Sequence, residues 1–333
     1  MKTRILFVER KQSQFVSIEK IFRQIERNLK PEKFTTAFQQ VPYSNDVLSV
    51  VKNLLFFRAD DADIYHLTGH VHYITLLLPK KRTVLTIHDL AFLHTRKGVR
   101  RLLLKKLLLD WPLRRLKYVT AVSQKTKDEI LEYFPEFAHK IRVIENPLGH
   151  KLSFDQSKLF DANCPTILQV GTMTNKNVPN LIRALDGISC KLRIIGPPNN
   201  EIRSALAFSK IKHENVEGLG DEQMANEYRD ADIIAFCSTY EGFGLPIIEG
   251  QAYGKPIVTS NIRPLADVAG AAADLVDPND PASINAAIKR IIEDSKHREE
   301  LVRRGFENVR RFDAKSIALQ YEELYDEMAA GVI

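Results

Sequence analysis

The chain is poor in sulfur and has no long apolar run, and each shortage narrows what it can be. Three cysteines, Cys164, Cys190 and Cys237, are odd in number and far apart in 333 residues. They make no disulfide framework and point to a reducing compartment. No stretch approaches the roughly 20 apolar residues that cross a bilayer. The opening MKTRILFVERK has only the apolar residues 5–8, too short for a signal-peptide core. The expected location is therefore the cytoplasm. Glycine is missing after the first strand: RILFVERKQSQF carries none of the Gly-x-Gly-x-x-Gly fingerprint, which argues against a nicotinamide or flavin site in the first half. Zinc-type Cys/His spacing is absent, and His66, His70 and His72 have no clear set of partners, so no metal site is expected. Aromatics are not interleaved with basic residues as in a single-strand binder, so no nucleic-acid partner is expected.

What is present is an ordinary globular composition, 44% hydrophobic and 27% charged, at a length that suggests about two domains. Charge is uneven. Residues 1–150 hold 27 Lys and Arg against 15 Asp and Glu, net +12, and residues 151–333 hold 21 against 27, net −6. The first half is thus expected to face something anionic. Short apolar runs alternate with longer amphipathic stretches, the pattern of parallel strands and covering helices. RILFVE, ADIYHL, RTVLTIH and KYVTAVS read as strands of the first half; PTILQVG, CKLRIIG, ENVEGLG, ADIIAFCS and KPIVTS as strands of the second. The expected fold is α/β, two Rossmann-like, doubly wound parallel-sheet domains facing across a cleft. Asn146-Pro147 and Gly149 break the pattern near residues 145–155. That gives domains 1–148 and 149–313, with an amphipathic helix at 314–330, apolar at Ile317, Leu319, Tyr321, Leu324, Tyr325 and Met328, able to cap either.

The segment TYEGFGLPIIE, residues 239–249, follows a buried strand and opens a helix. Pro246 suits a first helical turn, whose unpaired amides at Gly244 and Leu245 form an anion site. Gly242 and Gly244 permit close backbone approach. Glu249, early in the helix, can accept two hydrogen bonds from paired hydroxyls of a ribose or a sugar, and Glu241 on the loop meets what lies beyond the phosphates. The plain alternative makes Glu241 a turn cap and Glu249 a helix-start acid. Gly171, Thr172 and Lys176 follow the strand ILQV, where a lysine can neutralise a diphosphate, or simply be a solvated loop lysine. Gly196, and Gly218, Leu219 and Gly220, mark further strand ends for base and ribose. The echoing DADIYHL and DADIIAF place their acids before the strand, not at its carboxyl end, and read as solvated turns rather than metal motifs.

Together these residues resemble the retaining glycosyltransferases of family 4, of the architecture called GT-B, over nearly the whole chain: TVLTIHDLAF, YVTAVSQKTKDEI, VGTMTNKNVPNLIRAL, YEGFGLPIIEGQAYGKPIVTS and AADLVDPNDPASI. The resemblance implies hexosyl transfer from a UDP-, GDP- or ADP-sugar to a glycan or lipid-linked acceptor, in cell-surface polysaccharide synthesis. It implies no cofactor and no metal, the nucleotide sugar being a substrate. Glu249 would bind the donor ribose and Glu241 the transferred sugar. Gly242, Phe243, Gly244 and Leu245 would offer amides to sugar and diphosphate, and Lys176, with Thr172, would hold the diphosphate. His88, ending the strand TVLTI, matches the family's cleft histidine near the reacting carbon; a buried core histidine is the alternative. The chain departs from the family in lacking a glycine-rich loop after its first strand and the arginine that commonly precedes the lysine.

On the acceptor side, HLTGHVHY supplies Thr68, Gly69, His70 and His72, with Asp89 after the next strand. Residues 98–118 hold seven basic residues and one acid among leucines and Trp111. Such a helix can lie on an anionic membrane at the inner face of the plasma membrane, or pack its leucines inward and leave its lysines solvated. Two other functions fit the composition: a sugar-nucleotide epimerase of similar shape, and a non-catalytic basic binder of membrane or nucleic acid.

Overall fold

Ile5, Leu6, Phe7 and Val8 are fully buried, an apolar run without alternation, as a parallel strand covered on both faces requires. The structure, a computed structural model, describes residues 2–11, 17–44, 46–149 and 159–331. Residues 12–15 of the glycine-free loop and 150–155 of the expected seam lie outside them. The chain divides into one unit of Met1–Gly149 with Asp313–Ile333 and a second of His150–Phe312.

Among the described residues each unit is built on a six-stranded sheet with parallel neighbours throughout. The first unit holds β1 (Thr3–Glu9), β2 (Phe34–Gln40), β3 (Ile64–Leu67), β4 (Thr83–Ile87), β5 (Tyr118–Ala121) and β6 (Ile141–Val143) in the order β2-β1-β3-β4-β5-β6. Its helices are α1 (Ser17–Asn28), α2 (Val47–Phe56), α3 (Ala91–Thr95), α4 (Gly98–Lys105), α5 (Trp111–Arg115) and α6 (Gln124–Tyr133). The second unit holds β7 (Thr166–Val170), β8 (Lys191–Ile195), β9 (Lys212–Val216), β10 (Ile233–Phe236), β11 (Ile257–Ser260) and β12 (Asp274–Val276) in the order β12-β11-β10-β7-β8-β9. Around it run α7 (Val178–Ala184), α8 (Asn200–Phe208), α9 (Asp221–Asp230), α10 (Leu245–Ala252), α11 (Leu265–Ala269), α12 (Pro281–Glu293) and α13 (Ser295–Asn308). Both orders reverse once, between β1 and β3 in the first unit and between β7 and β10 in the second. At such a reversal the loops leaving the carboxyl ends of neighbouring strands part to opposite faces, and a crevice opens between them.

The helix α14 (Ala314–Ala330) belongs to the first unit. Ile317, Tyr321, Leu324, Tyr325 and Met328 are buried at helical spacing. Leu319, off that stripe, is exposed instead. The Tyr325 hydroxyl lies 2.6 Å from His66 Nδ1, and His66 Nε2 lies 2.7 Å from Thr86 Oγ1. Glu322, also buried, accepts from the Lys30 amide at 2.7 Å.

The two DAD repeats do the same work in each unit. Asp63 Oδ2 accepts from the Arg4 amide and Asp232 Oδ2 from the Thr166 amide, both at 2.8 Å, so each bolts the start of its own strand to β1 or β7. Asp63 is exposed as a solvated turn demands, whereas Asp232 is buried.

Residues 98–118 are not one helix. Between α4 and α5 lies a π-helical turn, Lys106–Asp110. Pro112 has no N–H to give the Leu108 carbonyl four residues back, and His72 Nδ1 donates to that carbonyl instead, at 2.7 Å. Leu109, Leu113 and Leu116 are buried, while Val99, Leu102, Leu103 and Trp111 are exposed. Arg115 is spent on the carbonyls of Thr75 and Leu78, both at 2.9 Å. The leucines after residue 106 therefore pack inward, whereas α4 keeps an apolar surface beside basic side chains.

Candidate functional site

In the second unit the two loops flanking the strand reversal are joined. Lys176, in a single helical turn after β7, places Nζ 2.7 Å from Glu241 Oε1, on the loop after β10. Asn175 ties the same loops, donating to the Tyr240 carbonyl at 2.8 Å and to Glu241 Oε1 at 3.3 Å, while its own carbonyl receives the Thr239 amide at 2.8 Å. The ammonium also lies 4.6 Å from the centre of the Phe236 ring, a second electrostatic restraint. Both charges are mostly shielded, with side-chain exposures of 18% and 13%.

Glycine is required around this pair. Gly171 has φ +88°, and a Cβ there would meet Lys176 Cε at 3.0 Å; Gly196 has φ +118° and lies against Thr172 Oγ1. Gly244 also has φ +118°, and its Cβ would fall 2.7 Å from Leu265 Cδ2. The left-handed turn at Gly244 starts α10, where the first amides have no intrahelical acceptor. Pro246, in the first turn, lacks one anyway. Phe243 is a buried anchor set edge-on to Phe312, with ring centres 5.7 Å apart. Glu249 follows on the same helix, with Oε2 2.5 Å from the Tyr228 hydroxyl.

Gly171, Thr172, Lys176, Gly196 and Glu241 are thus brought together, and Gly242–Leu245 and Glu249 continue from them. Leu219 and Gly220 lie two strands away, after β9. The Gly220 amide is already given to Gln223 Oε1 at 2.9 Å. Asn175 and Tyr228 escaped the sequence reading of the site. Tyr228 carries a signal in retrospect, being the one aromatic of the polar helix DEQMANEYRD.

In the first unit, Thr68, His70, His88 and Asp89 meet after β3 and β4. His88 Nε2 donates to the Thr68 carbonyl at 2.8 Å, which fixes the proton on Nε2 and the lone pair on Nδ1. His70 Nε2 lies 3.6 Å from Asp89 Oδ2, and Asp89 Oδ1 accepts from the Ala91 amide at 2.9 Å. Burial opposes the Asp89 charge, but the neighbouring His70 ring and the Ala91 amide hold its carboxyl well below the usual range. Gly69 packs on Arg10, after β1. His72 is corrected out of this surface: it is 1% exposed and committed to the Leu108 carbonyl.

Desolvation lowers three histidines of this unit, His66 and His88 to about 3 and His72 to about 4. Their folded values lie below the unfolded 6.5, so the unfolded chain binds more protons and stability falls as pH drops from about 6.5 towards 4. Three protons give a limiting slope of about 4 kcal/mol per pH unit. Urea unfolding of the first unit between pH 7.5 and 5 is expected to show this loss; a flat profile would contradict it.

The sequence matches the family described as glycosyl transferases group 1 over residues 151–308, and that described as glycosyltransferase family 4 over residues 23–150. It is 28% identical to the O-antigen chain mannosyltransferase B of Escherichia coli over 291 residues, 79% of this chain and 74% of that one. To the MMP alpha-(1->4)-mannosyltransferase of Mycolicibacterium hassiacum it is 34% identical over 142 residues, 40% of this chain and 34% of that one. In fold it is similar to Anabaena HepE, crystallised with UDP and glucose, at a TM-score of 0.78 and 16% identity, covering 98% of this chain and 100% of that one. The sucrose-phosphate synthase of Thermosynechococcus elongatus gives 0.78 at 19%, covering 99% and 100%. The two Rossmann-like units thus share the GT-B fold of these neighbours.

Proposed function

The chain belongs to glycosyltransferase family 4, the group 1 glycosyltransferases, and from that premise we propose that it transfers a hexose-type sugar, with retention of configuration, from a nucleoside-diphosphate sugar to a glycan or lipid-linked acceptor in cell-surface polysaccharide synthesis. The observation that carries this reading is the Lys176–Glu241 pair, set across the strand reversal of the second unit beside the amides that open α10. A diphosphate arriving there meets a cation already aimed and the positive end of a helix dipole. The UDP and glucose held by Anabaena HepE and the mannosyl transfer named for the Escherichia coli relative support a nucleotide-sugar donor.

In this reading Lys176, Thr172 and the amides of Gly242–Leu245 take the diphosphate. Glu249 takes the ribose, and Glu241 takes the sugar. The reaction needs the leaving diphosphate stabilised more than it needs a protein base. The acceptor hydroxyl attacks the anomeric carbon from the face the diphosphate leaves, and a departing phosphate oxygen receives its proton. Lys176 and the helix start do electrostatically what a divalent cation does elsewhere.

The test is product formation from a panel of UDP-, GDP- and ADP-sugars, with and without EDTA. An α-linked product from an α-linked donor, formed equally with chelator, is expected. A β-linked product, or activity abolished by EDTA and restored by Mn²⁺, would remove the retaining, metal-independent reading. An epimerised donor formed without acceptor would remove transfer itself.

The lipid side of the proposal rests on α4. No described helix is long and apolar enough to cross a membrane, but α4 exposes Val99, Leu102 and Leu103 beside Arg100, Lys105 and Lys106, the composition of a helix that lies on anionic lipid. Leu102→Glu with Leu103→Glu is expected to abolish sedimentation with phosphatidylglycerol vesicles. Unchanged sedimentation would end the membrane reading.

A further inference from the structure

Glu249 is a long side chain asked to do a directional job. Its backbone cannot shift: the next residue, Gly250, sits so close to the sheet that a Cβ would fall 2.6 Å from Ile234 Cγ1 and 2.8 Å from Ile257 Cδ1. Freedom remains only in the side-chain torsions, which a glutamate loses at appreciable entropic cost on ordering. Tyr228, at the end of α9, removes that freedom before any ligand arrives. It is 1% exposed, and its ring lies flat on Tyr253, with centres 5.7 Å apart and planes 4° from parallel. Its hydroxyl donates to Glu249 Oε2 at 2.5 Å, a short bond of the charge-assisted kind. A buried phenol must find an acceptor, and burial together with the Glu249 charge keeps its proton in place well above the usual phenol range. The phenol therefore holds Glu249 Oε2 in place before a ligand binds.

Resting on the donor-binding reading of this site, we infer that Tyr228 is a positioning residue, which orients Glu249 to receive the hydroxyls of the donor ribose. It touches no part of the donor itself. Tyr228→Phe keeps the ring and its stacking and deletes one bond, so the effect must appear in ribose recognition rather than in folding.

The experiment measures dissociation constants of wild type and Tyr228→Phe for UDP, GDP and ADP and for their 2′,3′-dideoxy forms, by titration calorimetry. Wild type is expected to prefer the ribose form of its nucleotide by about tenfold or more, the scale of hydrogen bonds to a charged group. Tyr228→Phe is expected to weaken that form about tenfold, leave the dideoxy form unchanged and bring the ratio to within about twofold. In a Glu249→Ala background the same substitution should change neither constant by more than about twofold, since the group it orients is gone.

Discrimination retained in Tyr228→Phe, or equal weakening of both forms, overturns the positioning role and leaves the donor reading intact. Weakening in the Glu249→Ala background also overturns it, by showing that Tyr228 acts through something else. A wild type that binds without distinguishing ribose from dideoxyribose overturns the role of Glu249 and this inference with it. One that binds no nucleoside diphosphate at all overturns the donor reading itself.

Discussion

Lys176→Ala is expected to lower kcat/KM for the sugar donor by about 10²- to 10³-fold, the scale on which an aimed charge at a leaving group acts. The lysine is restrained on two sides, by Glu241 at 2.7 Å and by the Phe236 ring at 4.6 Å, so its charge is in place before the diphosphate separates from the sugar. Removing it also leaves Glu241 shielded and without its cation, a state that repels a diphosphate. Two causes then act together, and a pair of variants separates them. Glu241→Ala alone keeps the cation and should retain diphosphate affinity while losing turnover; Lys176→Ala should lose both. If instead each substitution gave the same loss and the double variant no more, the pair would be a structural tie between loops, and Lys176 would have no separate business with the donor.

Gly244→Ala is the second large effect. A Cβ at φ +118° is strained whatever surrounds it, and here it would also enter Leu265 at 2.7 Å and Ile247 at 3.2 Å. Leu265 and Ile247 are fully buried and have little room to yield. The turn must then unwind, carrying the first amides of α10 away from Lys176. About 2–3 kcal/mol of stability in the second unit and at least tenfold in donor affinity are expected to go together. Urea unfolding and nucleotide titration on the same preparation check this. A variant with wild-type affinity would show that these amides take no part in holding the diphosphate.

Much of this was legible in the sequence because the signals are local. Runs such as ILFV, TVLTI and IIAF announce buried parallel strands, and the glycines and Pro246 announce a turn that opens a helix. Three strands went unseen for equally local reasons. FTTAFQQ, β2, is half-buried and has no apolar run, while β6 and β12 are three residues each. Without them neither strand order could be written, and the reversals that place the two loop pairs depend on order alone. The Lys176–Glu241 contact spans 65 positions and the Tyr228–Glu249 bond 21, beyond anything periodicity reports. His72 was misplaced because a histidine in a loop looks like a surface group. Only the carbonyl released by Pro112, forty residues later, gives it an interior task.

The return of α14 to the first unit also bears on the order in which the protein can be made. The second unit is one continuous stretch, so nothing it needs is still inside the ribosome once its last residues emerge. The first unit, although synthesised earlier, waits for residues 313–331: until they arrive, His66 has no Tyr325 to meet, and Phe22 of α1 lacks the Tyr321 ring that packs against it. The usual amino-terminal-first sequence of domain folding is thereby inverted. A chain ended after Phe312 should yield a protease-resistant second unit and a degraded first one, and survival of both would show that α14 is not required.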